Sequence, residues 1–305
     1  MNGMPYSRSC PVAKRYSTLQ RIQQLDPERD CQQICHLIAG YEFAWDVTRS
    51  LELALLKTFC IPSISQLLDR TGEFIHRPQK RYDDTGLIVS ELVKYGYDSD
   101  RGSAALARMN RIHGHFDISH RDYLYVLSTF IYEPIRWMDR FGWRPMCETE
   151  RLACFHFWRE IGDRMGIRGM PASYSDFEQF NLDFEREHFH YSLSNQHIGE
   201  STRTMFLSWF PAPLRPLVRP GVHAFLDDAM LGALGFPRAS APLRWAIANC
   251  LKLRGRLVRQ LPPRETGHFY VDASHRTYPE GYSLENLGPP HMLEELNRGS
   301  SPAEN

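Results

Sequence analysis

Apolar residues recur along this chain at intervals of three and four positions, from about residue 28 to about residue 260. Because an α-helix turns every 3.6 residues, this interval places apolar side chains on one face of a helix. The longest candidate for a strand, 268–272, is short. The pattern therefore predicts an all-α protein with helices over 28–40, 45–60, 62–73, 84–95, 99–114, 119–141, 148–165, 175–189, 192–209, 222–234 and 240–260.

Start and stop signals support these boundaries. Ser119 and Ser175 each precede an acidic residue by three positions, which is the arrangement that closes the first turn of a helix. Prolines between 211 and 237 indicate a rigid connection. No repeat or change in composition separates two domains, so we predict one helical bundle domain over 26–291. A polar N-terminal extension over 1–25 and a disordered C-terminal tail over 292–305 flank it.

Composition and charge exclude several classes of protein. Lys plus Arg equals Asp plus Glu at 36 each, which argues against a nucleic-acid partner. No window of about 18 apolar residues is present, so we expect no transmembrane segment. Seven scattered cysteines without a CxxC pair indicate free thiols and a reducing compartment, hence a cytoplasmic protein. The oligomeric state does not follow from the sequence.

One basic stretch, 252–259, lies on the last long predicted helix. Leu253, Leu257 and Leu261 recur every four residues along one side of that helix. We interpret this side as a core face opposite a solvated basic face. Contact of the helix with an anionic surface is the alternative.

Histidines are the first candidates for chemistry, since the chain has 13 of them. His113 and His115 are two apart, so on a regular helix they point about 200° away from each other and cannot share one metal ion. A single neutral imidazole near a helix end, in an apolar pocket, is sufficient to hold heme iron. His113, at the end of the predicted helix 99–114, has that position.

Two further segments could take part in a site. Asp83 and Asp84 lie at the start of the predicted helix 84–95, where either carboxylate could cap the helix or act as a general base. Glu133 and Arg136 share a helix face among apolar neighbours, beside Pro134, whose ring is expected to kink the helix and open space between helices. We interpret Glu133 and Arg136 as a partly buried ion pair that fixes the register of the bundle.

Several of these segments together resemble a known family. The stretch DDTGLIVSELVKYGYDSDRGSAALARMNRIHGHF, the later EPIRW and the segment FWREIGDRMGI follow the order seen in the MpaB / rubber oxygenase (latex clearing protein) catalytic domain family. The resemblance extends from about residue 26 to residue 211 and is to the bacterial MpaB-like branch.

This resemblance implies an all-α fold around heme b, with O2 as co-substrate and cleavage of C=C bonds in isoprenoid-like chains. It places catalytic roles at Asp84 and Arg108 and assigns His113 as the iron ligand. Asn110 shares the helix face of His113, and we include Asn110, Arg108 and Arg111 among the expected heme-binding residues. Wider relatives often carry a histidine on the next helix, where this chain reads YVLST at 125–129. The ligand here is therefore His113 or another histidine.

The leading hypothesis is a heme-dependent oxygenase acting on an apolar small molecule. Two alternatives remain at this point. One is a heme-binding or sensing protein without turnover, because an axial histidine alone does not make a catalyst. The other is a heme-free helical protein that binds an apolar ligand.

Overall fold

Fifteen α-helices and no β-strand make up residues 15–298, the part of the chain that the computed structural model describes. The all-α prediction is confirmed. In chain order the helices are α1 Ser17–Ile22, α2 Cys31–Leu37, α3 Ala44–Thr58, α4 Pro62–Thr71, α5 Glu73–His76, α6 Pro78–Tyr95, α7 Asp100–Gly114, α8 His120–Phe141, α9 Glu148–Arg164, α10 Tyr174–His188, α11 Leu193–Ser208, α12 Arg215–Phe225, α13 Asp228–Leu234, α14 Ala241–Val258 and α15 Leu293–Arg298.

The long helix α8 forms the centre of the bundle. It packs against α3, α9, α10 and α14. Tyr125, Ile131 and Tyr132 are fully buried, so the helix contacts its neighbours on more than one face. The predicted helix 119–141 is confirmed, and it continues through Pro134.

The predicted start signal at Ser175 is wrong, because the hydroxyl that accepts the first-turn hydrogen bond, from the Asp176 N–H, is that of Ser173. Several predicted elements also differ from the structure in their bounds. Helix α6 begins at Pro78, six residues before the predicted start, because proline is favoured in the first turn of a helix. The predicted helix 222–234 is two helices, α12 and α13, and α13 begins where the side chain of Asp227 accepts a hydrogen bond from the backbone N–H of Met230. The strand candidate 268–272 forms a short 3₁₀ turn, Tyr270–Asp272.

The folded part of the chain extends beyond the predicted domain limits 26–291. Ile22, within the predicted extension 1–25, is fully buried at the end of α1. Leu296, within the predicted tail 292–305, is buried in α15. Each of these short helices therefore adds one buried apolar side chain to the folded part of the chain. Residues 1–14 and 299–305 lie outside the described range.

Helix α14 packs on the core through Ala248, Leu251 and Val258, so the expected core face formed by the leucines is wrong. Leu253, Leu257 and Leu261 are 53%, 61% and 57% exposed, and Gly255 is the buried residue of this helix. Gly255 lies against the backbone of Gly142, where a Cβ atom would stand 2.9 Å from the Gly142 carbonyl oxygen. This close approach of two backbones decides which face of α14 packs inward.

No single helix between residues 15 and 298 is both long and apolar enough to cross a membrane. Helices α3 and α4, which meet at an angle of 95°, reach that length and composition only when taken together.

A buried cluster of charges joins the turn before α3 to the start of α9. The Arg144 guanidinium donates to Glu42 at 2.5 Å and to Glu150 at 2.6 Å, and both carboxylates are fully buried. Arg15 adds a second cation at 3.5 Å from Glu42 and stacks on Trp143. Because both carboxylates depend on Arg144, this one side chain keeps two buried charges compensated.

We expect Arg144→Met to lower the free energy of unfolding by about 3–5 kcal/mol, since it leaves two buried carboxylates without their main partner. Urea denaturation monitored by circular dichroism measures this change. Arg186→Met is the matched control, because Arg186 pairs with Asp183 at the surface and its loss is expected to cost at most about 0.5 kcal/mol. Equal losses in both variants would contradict the assigned role.

Candidate functional site

His113 lies near the end of α7, deep in the bundle, yet its side chain keeps some accessible surface. The helix starts at Ser99, whose hydroxyl accepts a hydrogen bond from the Gly102 N–H at 3.0 Å. The imidazole meets the ring of Tyr123 edge to face, with centroids 5.6 Å apart. Its Nδ1 is buried without a hydrogen-bond partner among residues 15–298, and no such partner is present for Nε2 within that range.

The surroundings of His113 keep its imidazole neutral. Burial, with a smaller contribution from the positive charge of Arg81, lowers the pKa of His113 to about 4. At neutral pH the ring therefore keeps a free nitrogen lone pair, which a metal ligand requires. A buried polar atom without a partner is rare in a stable structure and often marks a functional position.

Arg81 is the second unusual group in this region. Its guanidinium lies over the ring of Phe74, 5.3 Å from the centroid, and donates to the hydroxyl of Thr85. It forms no ion pair with a carboxylate in the described part of the chain, and burial lowers its pKa. A deeply placed cation without a carboxylate partner is suited to an anionic group of a ligand. Sequence reasoning missed Arg81, although its charge two residues before the quoted family segment could have indicated it.

Asp84, one turn after Arg81 on α6, is fully engaged in hydrogen bonds. It accepts hydrogen bonds from Lys80 at 2.8 Å, from the hydroxyl of Tyr278 at 2.6 Å and from the Gly288 N–H at 3.0 Å. The capping interpretation of Asp83 and Asp84 is wrong, because α6 begins at Pro78 and both carboxylates are within the helix.

Arg108 binds the same C-terminal segment. Its side chain is 1% exposed and donates to the carbonyl oxygens of Leu287 and Glu285 and to the side chain of Asn297, each at 2.8 Å. Asp84 and Arg108 together therefore hold residues 278–297 against α6 and α7. Neither side chain is hydrogen-bonded to His113, and their proposed catalytic roles stay predictions.

The remaining predicted heme-binding residues point to separate places. Asn110 donates to the backbone carbonyl of Arg164 at 3.1 Å. Arg111 is partly exposed, and its Nε is buried without a partner among the described residues. Arg108 and His113 are five residues apart on α7, hence about 140° around the helix, which explains why they face different neighbours.

Glu52, on α3, is another group that the sequence analysis did not select. Burial raises its pKa to about 7, although Arg49 at 2.7 Å and the hydroxyl of Tyr82 at 2.6 Å stabilise its charge. A carboxyl group that titrates near neutral pH can either accept or donate a proton. The signal in the sequence is a single acidic residue within the otherwise apolar run LELALL.

Glu133 and Arg136 form the expected buried ion pair at 2.8 Å, with Glu133 3% exposed. The pair belongs to a larger network, because Lys57 donates to Glu133 at 2.8 Å and to Glu185 at 2.9 Å. Arg136 also donates to Asn181 on α10. Two cations and two carboxylates compensate each other here, so this cluster links α3, α8 and α10.

Comparison with known proteins identifies the family. Residues 52–260 match the family described as "ER-bound oxygenase mpaB/B'/Rubber oxygenase, catalytic domain". The chain belongs to this family, and the resemblance inferred from the sequence is confirmed. The matched range includes Arg81, Arg108 and His113.

Three fungal relatives are similar over much of the chain. It is 28% identical over 247 residues to ER-bound oxygenase mpaB' of Penicillium brevicompactum, covering 74% of this chain and 58% of that protein. It is 26% identical to ER-bound oxygenase mpaB of Penicillium roqueforti (strain FM164), covering 77% of this chain and 85% of that protein. It is 29% identical to ER-bound oxygenase mpaB of Penicillium brevicompactum, covering 56% of this chain and 48% of that protein.

We expect Arg108→Met to release the C-terminal segment, because three acceptors lose their donor. Hydrogen exchange of the amides in 284–298 should become on the order of tenfold to a hundredfold faster. Arg298→Met, at an exposed side chain, is the control and should leave these rates unchanged. If these amides exchange in Arg108→Met as slowly as in the wild type, Arg108 does not anchor the segment.

The low pKa of His113 predicts a pH-dependent stability of the protein without ligand. An unfolded chain protonates the imidazole near pH 6.5, whereas the folded chain protonates it near pH 4, so acid favours unfolding within this window. Between pH 7 and pH 5 the free energy of unfolding should fall by about 2 kcal/mol more in the wild type than in His113→Gln. Urea denaturation at both pH values tests this. His115→Gln should lose as much stability between the two pH values as the wild type. An equal loss in His113→Gln and the wild type would refute the lowered pKa of His113.

Proposed function

We propose that this protein is an oxygenase that binds heme b and uses O2 to oxidise an apolar small molecule. The observation that carries the proposal is His113, a neutral and deeply placed imidazole whose Nδ1 has no partner within the described residues. Membership of a family described as oxygenases supports the reaction class.

The residues near His113 fit a heme group in their chemistry. A neutral imidazole is the commonest axial ligand of heme iron. Arg81, whose guanidinium has no ion-pair partner among residues 15–298, and Arg111 would bind the propionate carboxylates. Heme bound there would supply the binding and activation of O2. The missing orienting hydrogen bond at Nδ1 is the one feature in which this imidazole differs from most metal-bound histidines.

The protein's own side chains would make the site dry and apolar. Met109 lies one helical turn before His113 on the same face of α7, and Tyr123 touches the imidazole from α8. Both are partly buried apolar residues packed against the main core. Apolar surroundings exclude water and favour an apolar substrate. In this proposal Asp84 and Arg108 are positioning residues, since they hold the C-terminal segment against α6 and α7.

Two finer parts of the proposal concern the substrate and the compartment. The family description includes rubber oxygenase, which supports an unsaturated, isoprenoid-like substrate whose C=C bond is cleaved. The six described cysteines are all free thiols, which supports a reducing compartment such as the cytoplasm.

Heme content of purified His113→Ala tests the assignment. We expect wild-type protein from heme-supplemented cells to show a Soret band with about one heme per chain, and His113→Ala to lose most of it. His115→Ala, two residues further along and at an exposed position, is the matched control and should keep its heme. Circular dichroism should show that both variants remain helical.

Two outcomes would overturn the proposal. Full heme content in His113→Ala would reject His113 as the ligand, and a colourless wild type would favour a heme-free protein that binds an apolar ligand. A wild type that contains heme but forms no product from a polyunsaturated isoprenoid in air would point to a binding or sensing protein instead.

A further inference from the structure

The exposed leucines of α14 need an explanation. Leu253, Leu257 and the following Leu261 are each more than half exposed, and Trp245 on the same helix is 70% exposed. Single apolar side chains at the surface are common, but several along one helix usually mark an interaction site. Helix α14 therefore presents an apolar stripe that the described protein does not cover.

The neighbouring helix α12 extends this apolar region. It packs against α14 where Gly221 faces the side chain of Ile247. Leu217 on α12 is 76% exposed, and Leu214 just before it is 46% exposed. These two leucines add aliphatic surface next to α14.

Positive charge is concentrated in the same part of the chain. Residues 201–264 contain ten Lys and Arg residues and only Asp227 and Asp228 as acidic residues. The whole chain has no net charge, so the remaining residues are acidic overall. Such segregation creates a local positive field that a neutral total charge conceals.

Three of these cations, together with Arg140 of α8, meet at one pocket. A pocket of about 200 Å³ is lined by Arg140, Lys252, Arg256 and Arg259, together with Trp143 and two glycines. No carboxylate is among these lining residues, and Lys252, Arg256 and Arg259 form no ion pair within residues 15–298. Uncompensated cations around a small pocket are suited to a phosphate group.

We propose that this face docks on an anionic membrane surface. We name it the basic apolar face and define it by Trp245, Lys252, Leu253, Arg256, Leu257, Arg259 and Leu261. The leucines and Trp245 would enter the boundary between headgroups and acyl chains, as in other interfacial helices, and the four-cation pocket would hold a lipid phosphate. No helix needs to cross the bilayer for this mode of binding.

Charge distinguishes a membrane from a second copy of this chain as the occupant. In a twofold dimer the same patch meets itself, so the basic residues of both copies would face each other. Lys252, Arg256 and Arg259 have no acidic neighbours on this face that could compensate such contacts. An anionic lipid surface instead complements both the charge and the aliphatic side chains.

Vesicle co-sedimentation of the full chain tests this proposal independently of the heme assignment. We expect binding to phosphatidylcholine vesicles that contain about 30% phosphatidylserine, weak binding to pure phosphatidylcholine, and a decrease with added NaCl. Lys252→Gln/Arg256→Gln/Arg259→Gln should lower the partition coefficient on the order of 100-fold, from about 1 kcal/mol per basic residue. Leu253→Ser/Leu257→Ser should lower it at least about tenfold.

Leu193→Ser is the matched control, since Leu193 is 65% exposed and lies outside the basic apolar face. It should bind vesicles like the wild type, and circular dichroism should show that all variants are folded. Absence of binding to anionic vesicles at low salt would overturn the proposal, as would equal binding by the leucine variant. A wild-type dimer in solution that Leu253→Ser/Leu257→Ser converts to a monomer, without vesicle binding, would assign the face to self-association instead.

Discussion

The central helix α8 is buried on several sides, and every polar group it carries inward must therefore be paired inside the bundle. Glu133 is paired with Lys57 and Arg136, and the indole N–H of Trp137 donates to Asp46 at 3.0 Å. The hydroxyl of Tyr132 donates to the backbone of Tyr174 at 2.6 Å. Because the partners outside α8 lie on α3 and α10, these bonds set the register of those two helices against α8. Apolar burial alone would tolerate other registers.

Against this background, polar groups without partners are the informative ones. Asp84, Arg108 and the carboxylates around Arg144 have their hydrogen bonds satisfied. Their burial is explained by a structural role, because they hold the C-terminal segment and the start of α9 in place. His113 and Arg81 are different, because one has an unpartnered ring nitrogen and the other has no carboxylate partner in the described residues. The contrast locates the candidate site between α6, α7 and α8, and explains why a family motif contains both structural and chemical residues.

The same reasoning separates the two proposals. The heme assignment depends on groups inside the bundle that are neutral or cationic and lack partners. Membrane docking depends on the outer face of α14, where leucines and cations are exposed together. An interfacial position would bring the protein close to apolar molecules dissolved in lipid, so the two features are compatible, although neither requires the other.

The sequence by itself determined the helices, the family and the histidine on which the proposed function depends. Helical periodicity and capping residues act within one or two turns, so α7 and α8 were predicted to within one residue at each end. The burial of Glu133 beside Arg136 also followed from their apolar neighbours on the same helix.

Only the tertiary structure decided which partner each face meets. The backbone contact between Gly255 and Gly142 turns the leucines of α14 outward, and the segment that Arg108 binds is about 180 residues away along the chain. The proximity of Arg81 to His113 likewise joins two helices. These contacts join residues that are far apart in the sequence. Because the periodicity of a helix does not depend on which element it packs against, a single sequence could not reveal them.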